Sequence, residues 1–367
     1  MMGKRFVIKI GSNILSGDLG GLDGGLIQNI AGHVSYISSM GHEVVIVSSG
    51  AVLAGLKKLG LKAKPKEIRL KQAAAAIGQS SLMWAYEKAF AEFDHKVAQI
   101  LLTREDFSDR KKYINSKNTL TTLLSYRIIP VINENDTVTT DEIKFGDNDN
   151  LAALVSILIE AEELLILSDV DGLFEKDPRV YPKANLIPYV EEINSFIENI
   201  SGETGSAIGT GGMYSKILAA KKATSHGIAV HIINGKKPEL LRSILEGKAI
   251  GTFFKPSRVK ISQRKGWIAY SSRAKGSVTL DNGAVRAITE QGKSLLPSGI
   301  AAVEGKFDVG DSVDCLDAGG KRVAKGLINY SSSDMKRIMG KRTTEIEKAL
   351  GYKYSDEVIH RDNMVIF

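Results

Sequence analysis

The chain has 367 residues, of which 43% are hydrophobic and 25% charged, and its formal net charge is +7. That balance excludes wholesale disorder, and the length calls for two domains rather than one. The single cysteine, Cys315, cannot close an internal disulfide, no Cys/His cluster has zinc-site spacing, and no apolar run reaches the ~18 residues of a membrane span, so a cytoplasmic protein without a membrane partner is expected.

In chain order, short β-branched runs recur through the first two thirds of the chain: FVIKI at 6–10, EVVIV at 43–47, KVAQILL at 96–102, IIPVI at 128–132, ELLIL at 163–167 and AVHII at 229–233. Each reads as a buried parallel strand. Helical patterns lie between them, with one apolar stripe of Leu26, Ile30, Val34 and Ile37 and another of Leu151, Leu154, Leu158 and Ile159. The alternation predicts an α/β domain over 1–257, an open and mostly parallel sheet sandwiched by helices. Residues 258–273 read as a polar, basic linker around Trp267. Residues 274–367 read as a small β-rich domain whose strands are separated by Gly, Asn and Asp turns, with one helical pattern over Ser333–Leu350.

Open α/β sheets bind ligands at the carboxyl ends of their strands, so the loops there carry the functional reading. Four stand out. Lys9-Ile10-Gly11-Ser12 turns a lysine out of an apolar strand. Ser48-Ser49-Gly50-Ala51 opens a helix whose N–H groups suit an anion. Asn133-Glu134-Asn135-Asp136 is followed, across a polar hairpin, by Gly146-Asp147-Asn148-Asp149-Asn150. Gly209-Thr210-Gly211-Gly212-Met213 leads into a helix carrying Lys216. Singly, each is ordinary turn, cap or snorkelling chemistry. Together, each expected at a strand's exit, they resemble a phosphate-handling site. Two familiar alternatives are absent. No G-x-G-x-x-G follows the first strand, and Gly292-Lys293-Ser294 has Ala287 where a P-loop needs its leading glycine.

The segments VIKIGSNIL, VIVSSGAV, PVINENDTV, FGDNDNLAALV, LSDVDGLFEKDPR and GTGGMYSK, in this order, resemble the amino acid kinase family, and within it the branch acting on the side-chain carboxylate of glutamate. The tail, from GSVTLDNGA through GLINYSSSDMKRIMGK to HRDNMVIF, resembles a PUA domain. The resemblance implies transfer of the ATP γ-phosphoryl group to L-glutamate, giving glutamyl 5-phosphate for proline synthesis. Lys9, Lys216 and Asp149 would be the catalytic set, and Ser49, Gly50, Asn133, Asp136 and Asn148 would bind glutamate. Ser168, Asp169, Thr210, Gly211, Gly212, Met213, Tyr214 and Ser215 would join Lys9 and Lys216 around ATP. Mg²⁺ is implied by ATP, with no ligand assigned. Two departures are visible: Ser168 stands where family members often have Thr, and Tyr214 where a small residue is common.

The resemblance also implies feedback by proline, a homo-oligomer and hand-off of the acyl phosphate to glutamyl phosphate reductase. Other readings remain open at this point. A relative acting on acetylglutamate, aspartate, carbamate or a nucleoside monophosphate is one. An RNA-binding protein working through its tail is another, since residues 256–367 hold 19 Lys+Arg against 13 Asp+Glu while the rest is nearly neutral.

Overall fold

The computed structural model describes every residue except 1–2, 18–20, 62–66, 139–147, 203–211 and 258–262. It divides into two compact units, Met1–Asp106 with Lys111–Lys260, and Phe107–Arg110 with Ile261–Phe367. No helix among the described residues is long and apolar enough to cross a membrane.

The first unit is built on β1 (Arg5–Ile10), β2 (Glu43–Ser48), β3 (Val97–Leu102), β4 (Ile129–Glu134), β5 (Glu163–Ser168), β6 (Tyr189–Val190), β7 (Ala229–Asn234) and β8 (Thr252–Phe254), in the sheet order β3-β4-β2-β1-β5-β7-β8-β6. Pairing is parallel throughout except where β8 runs antiparallel to β7. The strand order reverses about β1, which lies between β2 and β5, and this makes the carboxyl end of β1 the switch point where such sheets leave a crevice.

The helices that bear on that crevice are α1 (Gly24–Ser39), α2 (Ala51–Lys58), α3 (Ile68–Ala91), α4 (Asn148–Leu158), α5 (Ser195–Gly202) and α6 (Met213–Thr224). Side chains alternate across a strand, so Phe6, Ile8 and Ile10 share one face of β1, where they join the core formed with Ile27, Ile30 and Val34 of α1 and Leu82, Tyr86 and Phe90 of α3. Val7 and Lys9 take the opposite face. The second apolar stripe proves wider than its spacing predicts. Every residue of α4 except Asn150 is buried, as befits a helix enclosed on all sides.

Two glycines decide how α2 meets α3. A Cβ on Gly55 would lie 1.8 Å from the Ala74 carbonyl oxygen, and one on Gly78 would lie 1.8 Å from that of Ala51. The two helices therefore touch backbone to backbone, which only glycine at these positions allows.

The second unit has β9 (Gly276–Leu280), β10 (Ile300–Gly305), β11 (Ser312–Leu316), β12 (Arg322–Leu327) and β13 (Met364–Ile366) in the order β10-β9-β11-β12-β13, mostly antiparallel. Three readings of the tail need correction. The Asp-Asn-Gly after β9 starts a helix rather than forming a plain turn between strands: Asp281 accepts from the Ala284 N–H at 2.7 Å and caps α7 (Asn282–Thr289). The single pattern over 333–350 is two helices, α8 (Ser332–Ile338) and α9 (Ile346–Leu350), separated at Gly340 with φ +74°. The expected solvated linker around Trp267 is helical over its described part, with Trp267, Ile268 and Ala269 buried. Within this unit the Trp267 indole N–H donates to the Phe107 carbonyl at 2.8 Å.

Candidate active site

At the carboxyl end of β1 a buried carboxylate lies between two buried lysines. Lys9, the penultimate residue of β1, pairs with Asp149 Oδ1, and Lys216 Nζ, in the first turn of α6, lies 3.1 Å from Asp149 Oδ2. Ser215 Oγ donates to the same Oδ2 at 2.9 Å. Asp149 is fully buried, and Lys9 and Lys216 are 4% and 5% exposed. Burial alone would push the Asp149 carboxyl up, but the two ammoniums outweigh it and hold the group below the usual carboxylate range. Two lysines held in so water-poor a place are groups that bind an anion strongly. Lys9 reaches Asp149 because the strand's alternation puts it on the α4 side of the sheet.

Beside this trio lies a cluster of amides. Asn148 Nδ2, at the start of α4, donates to the Ser48 carbonyl at 2.8 Å, to Ser49 Oγ at 2.8 Å and to Asn133 Oδ1 at 2.9 Å. Asn133 Oδ1 also accepts from the Glu134 N–H at 2.9 Å, and Asn133 Nδ2 donates to Gln79 Oε1 at 2.9 Å. Ser48 Oγ lies 2.8 Å from the Tyr86 hydroxyl, whose pKa burial raises well above the phenol range while that hydrogen bond opposes it. Gly50 takes φ +106° just before α2, a left-handed turn natural to glycine. Asp136 is half-buried in the turn after β4. Gly146 and Asp147 of the expected hairpin lie outside the described residues.

On the other side of the switch point, Ser168 ends β5 and is buried, while Asp169 beyond it is exposed. A cleft behind them is lined by Val170, Leu173, Phe174, Pro178, Ile200 and Met213. Tyr214 is 48% exposed at the start of α6. Gly212 precedes that helix in an extended conformation, and its carbonyl accepts from Ser215 Oγ at 2.8 Å. Gly209, Thr210 and Gly211 lie outside the described residues. The fourth loop differs from expectation in one respect: the described element before it is helix α5, not a strand.

The structure brings Lys9, Asp149, Lys216, Ser49, Asn133 and Asn148, all named from the sequence, to one place, whereas Gln79, Tyr86 and the cleft residues Phe174, Pro178 and Ile200 were not singled out there. Phe174 and Pro178 were within a quoted motif. Gln79 and Tyr86 sit seven apart on a helix, a spacing that also reads as ordinary core pattern. Among the described residues no group of three His, Cys, Asp or Glu side chains is placed to hold a metal. Asp149 already spends both oxygens on lysines, so among the described residues it is not placed to hold Mg²⁺.

A mostly parallel sheet with two lysines buried on one carboxylate at its switch point defines an α/β protein whose candidate site lies in the crevice such sheets leave there. Residues 4–234 match the amino acid kinase family model, residues 276–350 match that of the PUA domain, and the chain belongs to the amino acid kinase family. It is 52% identical over 363 residues to the glutamate 5-kinase of Geobacter sulfurreducens, covering 99% of this chain and 97% of that one. The glutamate 5-kinases of Thermoanaerobacter sp. strain X514 and Syntrophotalea carbinolica are 51% and 50% identical with the same coverage. Among solved structures, carbamate kinase from Giardia lamblia bound to AMP-PNP shares the fold, with a TM-score of 0.52 at 17% identity over 70% of this chain and 99% of that one.

Proposed function

We infer that this chain transfers the γ-phosphoryl group of ATP to the side-chain carboxylate of L-glutamate. The observation that carries the reading is the buried Lys9–Asp149–Lys216 arrangement at the switch point, in a chain about half identical along its length to glutamate 5-kinases. A glutamate carboxylate oxygen attacks the γ-phosphorus, the bond from phosphorus to the β,γ-bridging oxygen breaks, and ADP leaves. The nucleophile is ionised at pH 7, so no proton needs removing and no histidine base is called for. Lys9 and Lys216 neutralise charge on the transferring group, and Asp149 aims both ammoniums. Ser49 and the Gly50 N–H receive a carboxylate of glutamate at the start of α2, and Asp136 faces its ammonium.

The nucleotide lies against Ser168 and Asp169 with its apolar part in the cleft of Phe174, Pro178 and Met213, and the 212–216 segment lies along its phosphates. Mg²⁺ arrives on those phosphates. The acyl phosphate product is labile in water, which favours direct hand-off to a reductase. The test is glutamate-dependent ADP release with hydroxylamine trapping of the acyl phosphate, run beside aspartate and acetylglutamate. Turnover on glutamate alone is expected. Faster turnover on either competitor would overturn the substrate assignment.

A further inference from the structure

We propose that Gln79 is a positioning residue that sets how the site recognises the α-amino end of its substrate. The proposal rests on glutamate being the acceptor, as argued above.

The hydrogen bonds around Gln79 have a polarity that does not depend on which end of each amide is drawn as oxygen. The Glu134 N–H can only donate, so the Asn133 atom it meets at 2.9 Å is oxygen. The Ser48 carbonyl can only accept, so the Asn148 atom 2.8 Å away is nitrogen. The 2.9 Å bond from Asn148 to Asn133 agrees with both assignments. Asn133 must then turn Nδ2 to Gln79, which must answer with Oε1 at 2.9 Å.

Two consequences follow at the far ends of this relay. Asn148 shares the two N–H bonds of its NH₂ among three acceptors, and its Oδ1 takes no part in those bonds. Ser49 Oγ accepts from Asn148 and so keeps its own proton for another acceptor. A hydroxyl donor beside an amide acceptor is the pattern of an α-amino acid: the donor suits its carboxylate, the acceptor its ammonium. A dicarboxylic acid without the amino group would use the first and not the second. Gln79 Nε2, at the other end, is buried without a hydrogen-bond partner. That orphan is tolerated at a cost because the Oε1 end is required.

Gln79 is held in place by its neighbour. Gly78 lets α3 press against the Ala51 carbonyl, which lowers Gln79 onto the carboxyl end of β4. Without the Gln79 acceptor, Asn133 Nδ2 loses that bond and Asn133 is held less firmly, by Glu134 and Asn148 alone, so Asn148 keeps the Ser48 carbonyl but loses a fixed neighbour on its Asn133 side.

The experiment compares Gln79→Met with Gln79→Glu, reading KM for glutamate, KM for ATP, kcat and the inhibition constant of glutarate, which lacks the ammonium. Gln79→Met should raise the glutamate KM about tenfold, the scale of a hydrogen bond to a charged group, with kcat, ATP KM and glutarate inhibition within about twofold. Gln79→Glu keeps an acceptor toward Asn133 and should bring the glutamate KM back toward the wild-type value. A glutamate KM unmoved in Gln79→Met, or a glutarate constant rising in parallel with it, overturns the proposal. If Gln79→Met does not fold, Gln79→Glu decides alone: it must not lower the preference for glutamate over glutarate. Wild-type protein inactive on glutamate would sink the substrate assignment, and this proposal with it. An active wild type with an indifferent Gln79 sinks this proposal alone.

Discussion

Asp149 divides its two oxygens between two lysines, and this division separates the roles of the residues around it. Lys216 lies 3.1 Å from Oδ2, and in the proposed reaction it faces charge that grows only as the phosphoryl group moves. Lys216→Ala should therefore cut kcat by ~10²–10³ while moving the glutamate KM little, measured by steady-state ADP release. An unchanged kcat would remove it from the mechanism. Asp136→Ala should do the reverse, raising the glutamate KM sharply with ATP KM steady, because the ammonium loses its countercharge. A fall in ATP affinity instead would place that turn on the nucleotide side.

The pH behaviour follows from the direction of the Asp149 shift. Its carboxyl is held below the usual range, so its contribution to stability is present above the unfolded value, ~4, and is lost as pH falls through the folded one. Asp149 stays ionised at pH 5, and a kcat profile should show no acid limb from it above ~pH 5. Such a limb, if abolished in Asp149→Asn, would contradict this account.

At the scale of elements, the α2–α3 crossing does more for the site than either helix does alone. Gly55 and Gly78 bring the helices into backbone contact, and from α3 Tyr86 reaches Ser48, at the end of β2, while Gln79 reaches Asn133, near the end of β4. A methyl at Gly78 must push one helix away. Gly78→Ala should lower Tm by ~10 °C, the scale of an overpacked core contact of about 3 kcal/mol, and weaken glutamate binding along with it. A variant as stable as the wild type by differential scanning calorimetry would show that the crossing yields without strain. The same crossing explains why Gln79 escaped sequence reading. Its partner Asn133 is 54 residues away, and nothing in the spacing of α3 distinguishes a residue that meets a strand end from one that meets core.

For the whole molecule, every residue assigned a role lies in the first compact unit, Met1–Asp106 with Lys111–Lys260. Truncation after Lys260 removes the basic tail and parts Phe107–Arg110 from the rest of their unit. The shortened chain should still release ADP with glutamate, at a lowered Tm, since a unit of this size folds alone. A product that is soluble, folded by circular dichroism and wholly inactive would show that the tail shapes the active site.

What could be read along the chain was whatever local chemistry dictates. β-branched runs marked β1–β5 and β7 to within a residue or two, and glycine and serine turns marked two of the loops at strand exits and an Asn/Asp run a third. The change of style past Pro256 marked a second fold. These depend on side-chain period and turn preference, which act over a few residues. Tertiary structure alone decided the rest. It set Lys9 and Lys216 on the two oxygens of Asp149, chose a capped helix over a plain turn after Asp281, and buried the segment around Trp267. It also added Gln79 to the amide relay. Each of these depends on which segments meet across the sheet or across a helix crossing, and that is settled by burying the whole core at once rather than by any stretch of sequence within it.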